Sequence, residues 1–129
     1  MSRLLGVNVI LIDYLVVFLG GALGAFFRGA IMFIAPTWTV FWIVNGIGSF
    51  LMGGLQAYFL KNKHQHQMKL FLTTGMLGSF TTFSAMSAEW LLLLKQSPMM
   101  AFLYAFGMTI ICVALAASGY FVMKPRGGK

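Results

Sequence analysis

The stretch Leu70–Ala88, LFLTTGMLGSFTTFSAMSA, contains 19 residues and no charge. Longer charge-free stretches lie on either side of it: Gly29–Leu60, with 32 residues, and Gln96–Met123, with 28. Of the 129 residues, 60% are apolar and 9% are charged, whereas soluble domains average about 25% charged residues. Because a small soluble domain keeps much of its surface in water, this composition predicts a membrane protein and excludes a soluble domain or a basic nucleic-acid-binding protein.

The charge-free stretches are long enough for four membrane-spanning helices, because crossing the hydrocarbon core takes about 20 apolar residues. The predicted helices lie near residues 8–33, 39–60, 70–95 and 99–123. Pro36 is predicted to end the first helix, and Ser97 and Pro98 supply an N-cap and a first-turn proline for the fourth. The connections are short, so residues 1–129 are predicted to form one all-α, four-span membrane domain without a soluble catalytic domain.

The basic residues are distributed unevenly between the two predicted sides of the membrane. With four spans, one side carries seven of them: Arg3, Lys61, Lys63, Lys69, Lys124, Arg126 and Lys129. The opposite side carries two, Arg28 and Lys95, although short outer loops also leave little room for charge. Since basic residues stay on the cytoplasmic side, we predict a multi-pass protein of the cell membrane with both termini in the cytoplasm.

Two polar side chains share one face of the second predicted helix, Asn45 and Ser49. Polar groups inside a membrane are costly and usually face protein or water. Two interpretations of Asn45 are open. Its amide hydrogens either serve an anion, or they bind a backbone carbonyl and hold two helices together.

Glycines and hydroxyl residues interrupt the third predicted helix. Gly75 and Gly78 are followed by four hydroxyl residues within six positions: Ser79, Thr81, Thr82 and Ser84. Glycine is a weak helix former and hydroxyls compete for backbone hydrogen bonds, so the segment is either unwound or a continuous helix with a small-residue packing face. An unwound segment at mid-membrane has to be buried in protein or to line a cavity, and its free carbonyls can hold a cation.

Phe83 and Met86 lie three residues apart, on one helix face just after this segment. The edges of aromatic rings are positive, so facing rings can hold a small anion, although packing in the core is the commoner use.

On the first helix, Gly20 and Gly24 form a face for close helix contact. Arg28 follows one turn later and is compatible with three roles. It snorkels to the interface, neutralises carbonyls at the helix C-terminus, or attracts anions to a vestibule.

Three stretches in this order carry a family resemblance: Gly20-Gly-Ala-Leu-Gly-Ala-x-x-Arg28, Val44-Asn-x-x-Gly-Ser49 and Gly75-x-x-Gly-Ser-x-Thr-Thr-Phe-Ser-x-x-Ser-x-Glu89. Along nearly the whole chain, the motifs and their spacing are similar to those of the Fluc (CrcB) family of small fluoride channels. The resemblance implies an antiparallel dimer, two narrow pores along the subunit interface, and a third helix broken at the membrane centre. It also implies a structural sodium ion at that interface, held by backbone carbonyls of both subunits at Gly78 and Thr81.

The same resemblance assigns roles to side chains at the fluoride pore. Asn45 matches the donor to fluoride, and Phe83 matches the first of two pore phenylalanines. Ser84 and Ser87 match hydroxyls beside the pore, and Arg28 matches a vestibule arginine.

The chain departs from the family pattern at several pore positions. Met86 stands in place of the second pore phenylalanine, and Phe41 replaces a threonine four residues before Asn45. On the fourth helix, Met108 and Cys112 occupy positions that are polar in the family. A thioether is polarisable and flexible, so it replaces a ring edge poorly.

The resemblance implies passive, fluoride-selective flow that exports toxic cytoplasmic fluoride, without enzyme activity. A chain of fixed orientation cannot form an antiparallel dimer with itself, so the charge bias favours a heterodimer with a related subunit of opposite orientation; otherwise the partner is a second copy. Two other functions are open. A small multidrug-type proton-coupled transporter needs a carboxylate in the membrane, for which Asp13 and Glu89 are poorly placed, and a non-conducting partner subunit needs no pore.

Overall fold

The computed structural model describes residues 2–34 and 37–124, with side chains at 7–34 and 39–124. Within these ranges every regular element is helical, which confirms the predicted all-α class. In chain order the helices are α1 (Ser2–Ile34), α2 (Thr37–Lys61), α3 (residues 66–80), α4 (Phe83–Gln96) and α5 (Pro98–Met123). The predicted turn at Pro36 and the basic residues Arg126 and Lys129 lie outside the described residues.

Helix boundaries follow the prediction closely except at two places. α1 begins at Ser2, earlier than the predicted residue 8. The segment predicted over 70–95 begins earlier, at His66, and is divided into α3 and α4 by the break that the resemblance implies. Of the described residues, three segments are long and apolar enough to cross a membrane: Val7–Ile34, Thr39–Lys61 and Pro98–Met123. The chain is therefore a membrane protein, as its composition indicates.

α3 is not a uniform helix. It is α-helical over His66–Lys69, π-helical over Leu70–Leu77 and α-helical again over Gly78–Phe80. A π-helical stretch is wider than an α-helix and is rare outside functional regions. Here it directly precedes the point at which the helix ends.

α1 packs against α3 through the glycines that the sequence singles out. A Cβ on Gly20 would overlap the carbonyl oxygen of Phe71, and a Cβ on Gly24 would overlap that of Met76. The predicted close-contact face of α1 is thereby confirmed, because only a hydrogen fits between these backbones.

α2 packs against α5 along a second glycine contact. A Cβ on Gly53 would overlap the Ala116 carbonyl, and a Cβ on Gly119 would overlap the Phe50 carbonyl. The largest fully buried side chains are Leu77, Met108, Val40 and Val44, so the core lies where α2, α3 and α5 meet.

α5 begins as the sequence predicts. The Ser97 hydroxyl accepts a hydrogen bond from the Met100 N–H at 3.5 Å, and Pro98 occupies the first helical position. This N-cap turns the chain sharply after α4 and returns α5 past α2.

Candidate functional site

Two extended residues separate α3 from α4. Thr81 has φ −72° and ψ 151°, and Thr82 has φ −142° and ψ 112°. The Thr82 hydroxyl then caps α4 by accepting from the Ala85 N–H at 3.2 Å. Of the two interpretations of this segment, the unwound one is correct, and the unwinding is confined to these two residues.

Asn45 of α2 binds the break directly. Its Oδ1 accepts from the Thr82 N–H at 2.8 Å, and its Nδ2 donates to the Thr82 carbonyl at 3.2 Å. Both residues are buried, with 8% and 5% of their surfaces exposed. The Asn45 amide thus replaces the helical partners that an extended residue loses, and the second interpretation of Asn45, a bond to a backbone carbonyl, describes this structure.

The second amide hydrogen of Asn45 has a different acceptor. Nδ2 lies 3.7 Å from the Sδ atom of Met108 on α5. Met108 is 1% exposed, so both groups of this contact are in the core. Sequence reasoning placed Met108 near the pore but did not pair it with Asn45, since no local signal links residues on different helices.

The carbonyls of Gly78 and Thr81 have both lost their helical hydrogen-bond donors. In a continuous helix, the Gly78 carbonyl would accept from the Thr82 N–H, which here donates to Asn45. The Thr81 carbonyl would accept from the Ala85 N–H, which here donates to the Thr82 hydroxyl. These are the two carbonyls that the sequence motif singled out.

A cavity of about 380 Å³ lies beside the break. It is lined by residues of α2, the break, α4 and α5, and it brings together Asn45, Phe83 and Met86, which the sequence predicted to share a site. Met108 and Cys112 also line it. Most of the lining is apolar, with Asn45 and the two break threonines among the polar groups.

A second cavity, of about 460 Å³, continues from the first. Phe83, Met86 and Thr109 line both of them, and Ser87 and Trp90 extend the second along α4. We call the two cavities together the groove. The Phe83 ring is 77% exposed, so it projects from its own chain at the middle of the groove.

The two predicted pore serines differ in position. Ser87 lines the groove, and its hydroxyl donates to the Phe83 carbonyl at 2.9 Å. Ser84 is exposed outside the groove lining, with its Oγ 3.4 Å from the Thr82 hydroxyl oxygen.

Arg28 does not join these residues. It is half-buried near the end of α1, and neither cavity of the groove includes it. Its neighbour Phe27 lines a separate apolar cavity between α1, α2 and α3. Within one chain, the structure therefore brings together the asparagine, the phenylalanine and Met86, and leaves the arginine apart.

One polar contact was missed by sequence reasoning. His66 at the start of α3 places Nε2 3.2 Å from Oδ2 of Asp13 on α1. The His66 side chain is 63% exposed, and it is also a partner for an acid inside a predicted span. The two residues are 53 positions apart, which is why no local pattern pairs them.

The fold and the site together define a small helical membrane protein with a groove beside a helix break. The chain belongs to the family described as CrcB-like protein, Camphor Resistance (CrcB), whose model matches residues 15–120. This confirms the resemblance that the three sequence motifs carry.

Several relatives match this chain over most of their length. The fluoride-specific ion channel FluC of a Thermus thermophilus strain is 41% identical over 116 residues, covering 83% of this chain and 90% of the relative. FluC 2 of Bacillus subtilis is 37% identical over 122 residues, covering 89% and 90%. FluC of Rhodopseudomonas palustris is 42% identical over 118 residues, covering 84% and 90%. These names are those of ion channels, so the chain belongs with channels rather than with enzymes.

Proposed function

We propose that the chain is a subunit of a passive, fluoride-selective ion channel that exports toxic fluoride from the cytoplasm across the cell membrane. The observation that carries this proposal is the groove, in which Asn45, Phe83 and Met86 lie together beside a helix break. The names of the relatives, which specify fluoride, support the choice of ion.

The proposed channel spans the membrane four times, with α3 and α4 forming one interrupted span. Residues 66–80 rise about 22 Å as a helix, which is too short to cross a hydrocarbon core of about 30 Å. Together with Phe83–Gln96 the segment is long enough. The break at Thr82 is tolerable inside a membrane because Asn45 satisfies its backbone groups.

The groove supplies what a small, strongly hydrated anion requires. Amide and hydroxyl hydrogens replace water, and the positive edge of the Phe83 ring faces the ion. Ser87 and Ser84 are the proposed hydroxyl donors: Ser87 would first release its hydrogen from the Phe83 carbonyl, and Ser84, outside the groove lining of one chain, would reach the ion only in the assembled dimer. Arg28, which lies apart from the groove of its own chain, is proposed to attract anions at one mouth of the assembled pore. Because Phe83 projects outward, a second subunit is needed to close the groove into a pore.

The break also offers a place for a structural sodium ion at the dimer interface. The carbonyls of Gly78 and Thr81 have lost their helical donors, and Gly78 is exposed on the surface of its chain. Free carbonyls at a helix break can coordinate Na⁺. Two carbonyls from each of two antiparallel subunits would supply four oxygens.

The proposed partner is a related subunit of opposite orientation. Lys61 ends α2, Lys63 lies in the connection that follows it, Lys69 lies near the start of α3, and Lys124 follows α5. With both termini in the cytoplasm, these lysines fix one orientation, and an antiparallel dimer then needs a chain with the reverse bias. The numeral in the name of the Bacillus subtilis relative is in keeping with organisms that have more than one such chain.

One observation favours a second candidate, a partner subunit whose own groove does not conduct. Both amide hydrogens of Asn45 have acceptors within the chain, the Thr82 carbonyl and the Met108 sulphur. A groove in this state offers an anion no free amide hydrogen from Asn45.

Fluoride efflux from liposomes, read with a fluoride electrode, tests the proposal. The chain is reconstituted alone and together with a related chain of opposite charge bias, and chloride efflux serves as the control. We expect fluoride loss without chloride loss in the mixed liposomes. Fluoride efflux with the chain alone would contradict the proposed heterodimer. No fluoride efflux in either preparation would contradict the proposed channel function.

A further inference from the structure

The acceptor of the second Asn45 hydrogen decides whether this amide is available to an anion. The first Nδ2 hydrogen and Oδ1 are held by Thr82, so the plane of the amide is fixed. The remaining hydrogen then points to Met108 Sδ, 3.7 Å from Nδ2. Met108 is 1% exposed and Asn45 is 8% exposed, so this contact is shielded from bulk solvent.

The thioether is a poor acceptor compared with an anion. A methionine sulphur is neutral and accepts hydrogen bonds weakly, whereas hydrogen bonds to ionised acceptors are about twice as strong as neutral ones. An anion that reaches this place would therefore displace the sulphur. Until then, the Met108 sulphur occupies the position from which an anion would accept the Asn45 hydrogen.

Met108 has room to move away. Its side chain has three rotatable bonds, and it borders the 380 Å³ cavity that Asn45 also lines. Rotation of a side chain into that space needs no change in the backbone of α2 or α5. The Asn45–Met108 contact can thus open while the two hydrogen bonds to Thr82 stay in place.

We propose that Met108 controls the access of an anion to Asn45, because its thioether competes with the anion for the second amide hydrogen of Asn45. The inference rests on the proposed fluoride function, since it names the residue that controls access to that donor.

Two substitutions separate the acceptor from the bulk of the side chain. Met108→Leu keeps a similar volume and removes the acceptor, and Met108→Ala removes both the thioether and most of the volume. Met99→Leu is the matched control, because Met99 lies on the same helix, is 68% exposed and does not line the groove.

The measurement is nuclear magnetic resonance of full-length protein labelled with ¹⁵N at asparagine and assembled with an unlabelled related chain of opposite charge bias, in detergent micelles. The sequence has three asparagines, Asn8, Asn45 and Asn62, so the side-chain amide spectrum is simple to assign. Sodium fluoride is titrated, with sodium chloride as the control. We expect Met108→Leu to move the Asn45 amide signals before fluoride is added, and to tighten fluoride binding at Asn45 by roughly fivefold. Met99→Leu should change neither.

Three results would overturn the inference. Unmoved Asn45 signals in fluoride-free Met108→Leu would show that the sulphur accepts no hydrogen bond. Moved signals with unchanged fluoride affinity would show that the contact does not compete with the anion. Tighter binding in Met108→Ala alone would assign the effect to volume. Failure of the proposed function gives a different result: no fluoride efflux from liposomes, although Met108→Leu still shifts the Asn45 signals.

Discussion

The side-chain amide of Asn45 pairs with the backbone of Thr82 at both of its hydrogen-bonding groups, with distances of 2.8 Å and 3.2 Å. One side chain of α2 thereby takes the place of the helical partners that Thr82 lacks. The pair is 37 residues apart in the chain and joins α2 to the break between α3 and α4. The break is consequently a supported feature of the fold, with its backbone oriented by a neighbouring helix.

Replacing Asn45 should destabilise the protein more than replacing a surface asparagine. Asn45→Ala leaves a buried N–H and a buried carbonyl of Thr82 without partners, which lowers the free energy of unfolding by about 3 kcal/mol. Thermal unfolding in detergent measures the loss. Asn62→Ala is the control, because the exposed Asn62 also donates to a carbonyl, that of Tyr58, at 3.2 Å. Equal unfolding temperatures for the two variants would contradict the role of Asn45.

Substitution by alanine should have different effects on stability at two glycines of α1. Gly24→Ala places a Cβ against the Met76 carbonyl, where backbone must move, so we expect a loss of about 2 kcal/mol in unfolding free energy. Gly21→Ala meets nothing within 4 Å and should leave stability unchanged or slightly raised. Thermal unfolding of both variants in the same detergent makes the comparison. A stable Gly24→Ala protein would mean that α1 and α3 are further apart than described.

Met86→Phe should raise fluoride flux in the mixed liposomes. The substitution places a second aromatic ring beside Phe83 in the groove, and its edge adds positive potential for an anion. Fluoride electrode recordings compare its rate with that of the unchanged chain. Met68→Phe is the control, because Met68 lies near the start of α3, is 52% exposed and does not line the groove. Lower flux in Met86→Phe would show that the thioether suits the ion better than a ring.

Sodium should stabilise the assembled channel and potassium should not. If the Gly78 and Thr81 carbonyls hold Na⁺, the ion binds the folded dimer and raises its unfolding temperature by mass action. Exchange of Na⁺ for K⁺ or N-methyl-D-glucamine, followed by thermal unfolding and size-exclusion chromatography, measures the effect. Identical unfolding temperatures and elution in all three cations would exclude a sodium site at the break.

The sequence by itself determined the class of the protein and most of its helices. Charge-free stretches such as Gly29–Leu60 predict spans because hydropathy and length act locally. Ser97 and Pro98 start α5, and Gly24 marks the close contact of α1, because capping and a missing Cβ are properties of single residues. The motifs also identified the family, since the order and spacing of residues are read directly from the chain.

The tertiary structure decided which polar groups meet. Composition alone allows the third helix to be either continuous or unwound. The unwound form requires Asn45, from another helix, to bind the backbone N–H and carbonyl of Thr82. The contact of Asn45 with Met108 spans 63 residues. Such pairings depend on how α2 and α5 are packed, and a hydrogen-bond partner brought close by packing leaves no periodic or compositional signal in the sequence around it.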